Sequence, residues 1–488
     1  METNKNYFFQ AFFLLIISAG AFIAFKTILP KKLLEQTKLE SKNVVIDSLL
    51  LDAIEEDSSA ENNELVDEKD SLIKKVITYK ANSKTGVKYT SENFENYKGY
   101  QHVIPFYEKL LQLETTKVGS VRIAYFGDSM NDGDMIVQDI RRLFQERFGG
   151  QGVGFVNITS ESASSRATVT HEFSSNWKTQ SYLKVKKPIR SFGVNGHVFF
   201  ANDTINPTWV KYKASNYKYL TQLNNPTLFY GSSTNKEAKI SYIIGKDTIY
   251  KKLNGENQLN TLKLADNLKS VKVNFIDAAN VPIYGFNFDD GKGVHVDNFS
   301  NRGNSGLPIS IFNVGMMQAF NSKLGYDLVV LHYGTNVLNY GSYDYSWYEK
   351  RMTKVVEHIK QCFPGVAVLI VSTADKSTKY NMEMKTDSAV VPLAMAQKKY
   401  AVKSEAGFVN LYTLMGGDGS MVQWVESVPA KANKDYTHFN FTGSKEIAKL
   451  IYDEINNGYL LFKSLNKGII IPKRKNDSVY TKIDSTNE

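Results

Sequence analysis

The chain is poor in cysteine and histidine, the residues that build redox centres and many transition-metal sites. It has one cysteine, Cys362, among 488 residues, which excludes an internal disulfide and any metal site made of cysteines. No cysteine lies near the N-terminus, so no lipid-attachment box is present. Histidine is scarce, and His102, His171, His197, His295 and His358 stand alone without ligand spacing. They read as surface or core residues. His332 lies within an apolar run and reads as a packing residue. Basic residues are scattered, with no Lys/Arg run longer than two apart from Lys473-Arg474-Lys475. The net charge of +9 therefore argues for solubility or loose attraction to anionic glycans, not for nucleic-acid binding. There is no phosphate loop, no dinucleotide fingerprint and no internal repeat. Asp289-Asp290-Gly291 lacks the twelve-residue pattern of a calcium loop.

What is present is three short blocks, far apart, that together supply a hydrolytic site. They are Gly127-Asp128-Ser129, Gly334-Thr335-Asn336 and Asp435-Tyr436-Thr437-His438. The first follows the apolar run Val121–Phe126 and precedes an amphipathic helical pattern over Met135–Phe148. The second ends the apolar run Leu328–Tyr333, and the third precedes a strong helical pattern over Gly443–Ile455. A serine hydroxyl needs an adjacent base to act as a nucleophile near neutral pH. His438 can take its proton, and Asp435, three residues earlier, can hold the other imidazole nitrogen. Ser129 at a strand-to-helix turn would also sit beside N–H groups that favour developing negative charge. Asn336 can add a side-chain donor to an oxyanion hole. Asp132 and Asp134 read as helix caps or loop supports beside the nucleophile. Trp424 reads equally as a cleft wall or a core residue.

In these blocks the chain resembles the SGNH (GDSL-type) hydrolase superfamily of esterases and acetylesterases, over roughly residues 95–160 and 293–460. The resemblance implies a catalytic Ser129, Asp435 and His438. It implies an oxyanion hole made by Ser129, a glycine and Asn336. In Asn298-Phe299-Ser300-Asn301-Arg302-Gly303-Asn304-Ser305-Gly306, Gly303 is the chosen glycine and Gly306 the alternative. Two positions depart from the family pattern. Met130 and Asn131 follow the serine where a histidine is frequent, and Val337 stands where an aspartate is frequent. Both leave substrate preference open. No cofactor and no metal are implied.

The expected fold class is α/β, an SGNH-type three-layer α/β/α parallel sheet. Apolar strands alternating with helices over 91–157 and 293–465 support it. Aromatics make up 12% of the chain, which suits β-rich portions as well. Over 158–292 the runs are short and alternate, punctuated by Gly, Asn and Asp, which predicts an inserted β-sandwich of jelly-roll type. Some periplasmic acetylesterases of the superfamily are similar in carrying a carbohydrate-binding-like domain there. Trp177, Trp209, Tyr217 and Tyr219 could form a sugar platform or fill the sandwich core.

Residues 1–30 contain an uncharged apolar run, Tyr7–Phe25, close to the length of about 20 residues that spans a bilayer. A transmembrane anchor with the enzyme in the periplasm is favoured, and a cleaved signal competes. Residues 31–90 are expected to be a flexible charged linker, and 466–488 a polar tail. The expected activity is removal of O-acetyl groups from an envelope or extracellular glycan, peptidoglycan first. The alternatives are an O-acetyltransferase using the same triad, or an inactive glycan-binding protein.

Overall fold

A computed structural model describes residues 12–18, 47–59, 76–202, 206–338, 340 and 344–466. The chain divides into Met1–Val44 and Val45–Glu488. In the first unit, residues 12–18 are helical and their apolar side chains are exposed. The rest of the run 7–25 lies outside the described residues, as do the tail from 467 and much of the expected linker. Among the described residues no helix is long and apolar enough to cross a membrane.

The second unit is organised by a five-stranded sheet. Its spatial order is Gly293–Asn298, Ser120–Gly127, Leu328–His332, Ala367–Val371, Gly407–Val409. Every neighbouring pair is parallel. Side chains alternate along each strand, so each strand feeds two cores. Ala124, Phe126, Val329, Leu331, Val368 and Ile370 face one core, built with the helices Val314–Leu324, Ser346–Cys362 and Val390–Lys403. Val121, Ile123, Tyr125, Leu328, Val330 and Leu369 face the other. That core is built with Ile104–Thr116, Val137–Phe148 and Phe441–Leu465. The result is the expected three-layer α/β/α arrangement. Runs that are apolar on both faces are the signature of such a sheet.

Between the first two strands in chain order lies a two-sheet antiparallel β-domain. One sheet has five strands, running from Asp247–Lys252 at one edge to Val169–Phe173 at the other. The second has Leu259–Lys263, Thr227–Gly231, Ile283–Phe288, His197–Phe200 and Lys178–Ser181 in spatial order, with Gly154–Val156 also paired to Ile283–Phe288. The sandwich thus recruits chain from before residue 158. Of the four candidate platform aromatics, Trp177 is buried in its core. Trp209 has the Lys272 ammonium over its ring at 4.4 Å, and Tyr219 has that of Lys218 at 4.9 Å. Tyr217 is exposed. These four rings do not form one open surface. Phe155, Tyr182, Phe229 and Tyr284 of the insert pack with Phe299, Phe312 and Phe320, so the two domains share an apolar core.

The flexible linker expected over 31–90 does not extend to all of that range. Residues Ser48–Ser59 form a helix with Leu50 and Ala53 buried. Tyr79, Val87 and Tyr89 are buried in the core beside the last helix. The acidic run after Asp52 masks the four-residue spacing of Leu49, Leu50, Ala53 and Ile54, which forms a narrow apolar stripe.

Candidate active site

The strand Ser120–Gly127 delivers Ser129 to the carboxyl end of the sheet. A Cβ at Gly127 would meet Asn131 Nδ2 at 2.6 Å and Ser300 Oγ at 2.8 Å, so these side chains pack closely over the glycine. Asp128 O accepts from the backbone N–H groups of Asn131 and Asp132, both at 3.2 Å, forming one tight turn around Ser129. The regular helix starts only at Val137, because Gly133 and Asp134 both have positive φ. Ser129 does lie between strand and helix, as expected, but the helix start that was to supply N–H groups to developing charge lies beyond it. The N–H groups around the serine belong to an isolated turn.

The other blocks converge on this turn. Ser129 Oγ lies 3.0 Å from His438 Nε2. His438 Nδ1 lies 2.9 Å from Asp435 Oδ2. Asp435 Oδ1 accepts from the backbone N–H of Thr437 at 3.0 Å and of His438 at 2.9 Å. Burial raises the Asp435 pKa, but its hydrogen bonds to His438 and Thr437 outweigh that and hold the carboxyl below its ordinary value. An ionised Asp435 on Nδ1 leaves Nε2 free to accept the serine proton. The acid–histidine loop is held from below by Trp424, which is buried and packs on Phe439 with ring centroids 5.5 Å apart. Trp424 O accepts from Lys431 N at 2.8 Å, so this residue supports the loop from the core.

Asp128 had no assigned role in the sequence reading, yet it joins two of the blocks. Its Oδ1 accepts from Met130 N at 3.0 Å and its Oδ2 from Thr335 N at 3.2 Å. Burial pushes its carboxyl up to about 6, against the lowering effect of these N–H groups and of His438. Asn336, next to Thr335, donates from Nδ2 to Asn304 O at 3.0 Å. This uses one of the two N–H groups of its amide and draws the 303–306 loop against the Gly-Thr-Asn block.

Of the two candidate glycines, Gly306 is already committed. Its N–H donates to Asn304 Oδ1 at 2.9 Å, and a Cβ there would meet the Tyr333 ring at 2.8 Å. The N–H groups of Gly303 and Ser129 donate to nothing among the described residues. The 303–306 loop is braced from behind by buried Asp47, whose Oδ2 accepts from Ser305 N at 2.7 Å. The sequence signal for this brace was faint: an acidic residue preceding a short apolar helix, as caps do.

Asp132 and Asp134 support the loop; neither caps the helix, whose first turn has no side-chain cap. Asp132 accepts from Ser162 Oγ at 2.7 Å and from Arg302 Nε at 2.8 Å. Asp134 pairs with Arg141 through two bonds at 2.7 and 3.0 Å and accepts from Thr168 at 2.7 Å. Burial would raise its carboxyl, but Arg141 and Arg166 hold it down at about 2. His332 is fully buried, with Nδ1 2.8 Å from the Tyr125 hydroxyl, and burial lowers it to about 3. It packs at the strand end, as its sequence position suggests. Met130 and Val337, the departures from the family pattern, are buried core residues. Asp289 binds Arg122 at 2.6 Å, which accounts for it without calcium. Among the described residues no group of three His, Cys, Asp or Glu is placed to hold a metal ion.

The structure matches that of a peptidoglycan O-acetylesterase with a TM-score of 0.60, over 76% of this chain and 98% of the other, at 20% sequence identity. The chain shares that fold. An acetyl xylan esterase matches over 33% of this chain and 80% of its own, at 15% identity and a TM-score of 0.24. The structure named TesA matches over 35% and 82%, at 14% identity and a TM-score of 0.25. No protein-family model matches the sequence, and no curated relative does either. The likeness to the first of these spans nearly all of that chain, so it takes in more than the central sheet.

Proposed function

We propose that this protein is a serine O-acetylesterase of the SGNH type that deacetylates a cell-envelope glycan, with peptidoglycan the favoured polymer. One observation carries the reading: the continuous relay from Ser129 Oγ through His438 at 3.0 Å to Asp435 at 2.9 Å. Ser129 Oγ attacks the acetyl carbonyl carbon while its proton moves to His438 Nε2. The oxyanion is held by the N–H of Ser129, the N–H of Gly303 and the amide of Asn336. The bond from carbon to the sugar oxygen breaks, and His438 returns the proton to that oxygen. Water then gives its proton to His438 and attacks the acyl-serine, and acetate leaves as Ser129 regains its hydrogen.

The openness of the site supports a polymeric substrate. His438 keeps about 40% of its side-chain surface exposed and Asp435 about 50%. The peptidoglycan preference rests on the resemblance of the inserted β-domain to that of acetylesterases acting on this polymer, and on the shared fold with one such enzyme. An N-terminal anchor or cleaved signal would place the enzyme in the envelope. Incubating the protein with O-acetylated glycan and a deacetylated acceptor tests the reaction type. Free acetate is expected. Acetyl groups on the acceptor, with little free acetate, would make the protein a transferase.

A further inference from the structure

Beside the catalytic loops the insert and the α/β domain form a partly open cavity of about 350 Å³. This is near the lower end of the roughly 300–1,000 Å³ usual for small-ligand sites. Its wall is mixed: polar groups alternate with the apolar side chains of Leu183 and Val185, and Glu161 stands at its edge. The insert contributes the hydroxyls of Thr159, Ser160, Thr179 and Ser181, and the ammonium of Lys184. The α/β domain contributes Asp132, three residues after Ser129, and Ser300 to Arg302, which lead directly into Gly303. No aromatic ring other than the His197 imidazole lines it.

These residues are tied to the catalytic turn. Asn301 N donates to Gly127 O at 3.0 Å, and Arg302 binds Asp132 at 2.8 Å. Asp132 also takes the Ser162 hydroxyl of the insert, so one carboxylate joins the nucleophile loop, the glycine loop and the β-domain. The Lys184 ammonium makes no ion pair among the described residues. His197 Nδ1 lies 2.8 Å from Asn195 O, which makes it the donor and leaves Nε2 as an acceptor. Hydroxyls, donors and acceptors set beside Leu183 and Val185 suit a sugar ring, whose hydroxyls pair with the polar groups while its C–H face packs on the apolar ones; a plain acyl chain would strand the polar groups unpaired.

We infer that this cavity is a glycan subsite, in which the insert holds a sugar residue of the polymer while a neighbouring acetyl ester lies at Ser129. The inference rests on the O-acetylesterase reading for the ester, but the binding it asserts does not. The insert is then a specificity element working through the cavity, with no role for an aromatic platform. It recognises a pyranose by its hydroxyls and by a carboxylate or amide substituent facing Lys184.

The test uses the full chain and two variants, Thr179→Trp to fill the cavity and Lys184→Ala to remove its cation. Both positions are exposed and make no hydrogen bond to the catalytic loops. Kinetics are measured on an aryl acetate and on O-acetylated peptidoglycan. Both variants are expected to keep aryl acetate turnover within about twofold. Thr179→Trp should lose about tenfold or more in kcat/KM on the glycan, mainly through KM, and Lys184→Ala severalfold. Glycan kinetics unchanged in both variants would overturn the subsite. Equal losses on both substrates would overturn it too, because they would mean damage to the fold or the triad. If the unmodified protein cleaves neither substrate, the esterase reading fails, and calorimetry with a deacetylated peptidoglycan tetrasaccharide decides the subsite alone. Binding that Thr179→Trp abolishes would sustain it, and absence of binding to the unmodified protein would end it.

Discussion

Asp128 and Thr335, more than two hundred residues apart in sequence, are joined by a 3.2 Å bond from the Thr335 N–H to the Asp128 carboxylate. The same carboxylate holds Met130 N, so a single buried group sets the nucleophile turn against the block that carries Asn336. In the proposed mechanism the aspartate of the Gly-Asp-Ser block acts as a positioning residue. Asp128→Asn keeps one acceptor but turns an NH2 toward one of these two N–H groups. It is expected to lower kcat about tenfold or more with KM little changed. An unchanged kcat in a folded variant would remove Asp128 from the account.

Asp128 also carries a pH signature. Its folded carboxyl titrates near 6, above the ordinary 3.8, because burial favours the neutral form. The folded chain therefore holds this proton more tightly than the unfolded chain does. The contribution is fully present below pH 3.8 and is lost as the pH rises through about 6. Across that window the native protein should lose about 1–3 kcal/mol relative to Asp128→Asn. Urea unfolding of both proteins over this range checks it; parallel pH profiles would count against the assignment.

Asn336→Ala removes a proposed oxyanion donor. The expected loss is roughly 100- to 1000-fold in kcat, with KM moved far less. A change confined to KM would show that Asn336 binds the ground state and does not stabilise the transition state.

Asp435→Asn places an amide opposite His438 Nδ1 and favours the wrong tautomer. A fall of about 10⁴-fold in kcat is expected by analogy with other triads, without unfolding. Activity within tenfold of the native enzyme would show that His438 is oriented by something else.

Arg122 is a test of stability. Its guanidinium lies buried between Asp297 at 2.7 Å and Asp289 at 2.6 Å, with Asn287 at 2.6 Å, linking the first strand to its neighbour and to the β-domain. Arg122→Met strands two buried carboxylates and should cost about 3–5 kcal/mol. Denaturant unfolding with a loss under about 1 kcal/mol would show that the network relaxes without its cation.

The sheet was legible because its strands are apolar on both faces and end in chemistry. Leu328–His332 and Ser120–Gly127 announce themselves by composition, and Ser129, Asn336, Asp435 and His438 follow from block order. The helices Val314–Leu324 and Val390–Lys403 are hard to read because their apolar and polar residues set only a weak helical period. Strands of the sandwich such as Thr208–Ala214 and Ile283–Phe288 are hard to read for a different reason. Cross-strand pairing across long sequence gaps, as between Ser270–Ile276 and Thr208–Ala214, leaves little local trace. The bonds that align the site were the least legible part. Asp128 to Thr335 and Asp47 to Ser305 join distant segments through single carboxylates, and local sequence marks at most the carboxylate, never its distant partner.

The most direct test is acetate release from O-acetylated peptidoglycan by the native protein beside Ser129→Ala. The account predicts release by the native protein and a fall of at least about a thousandfold in the variant, with the fold intact. Comparable release by both proteins would contradict the assignment of Ser129 as nucleophile. No release by either would contradict the peptidoglycan esterase itself.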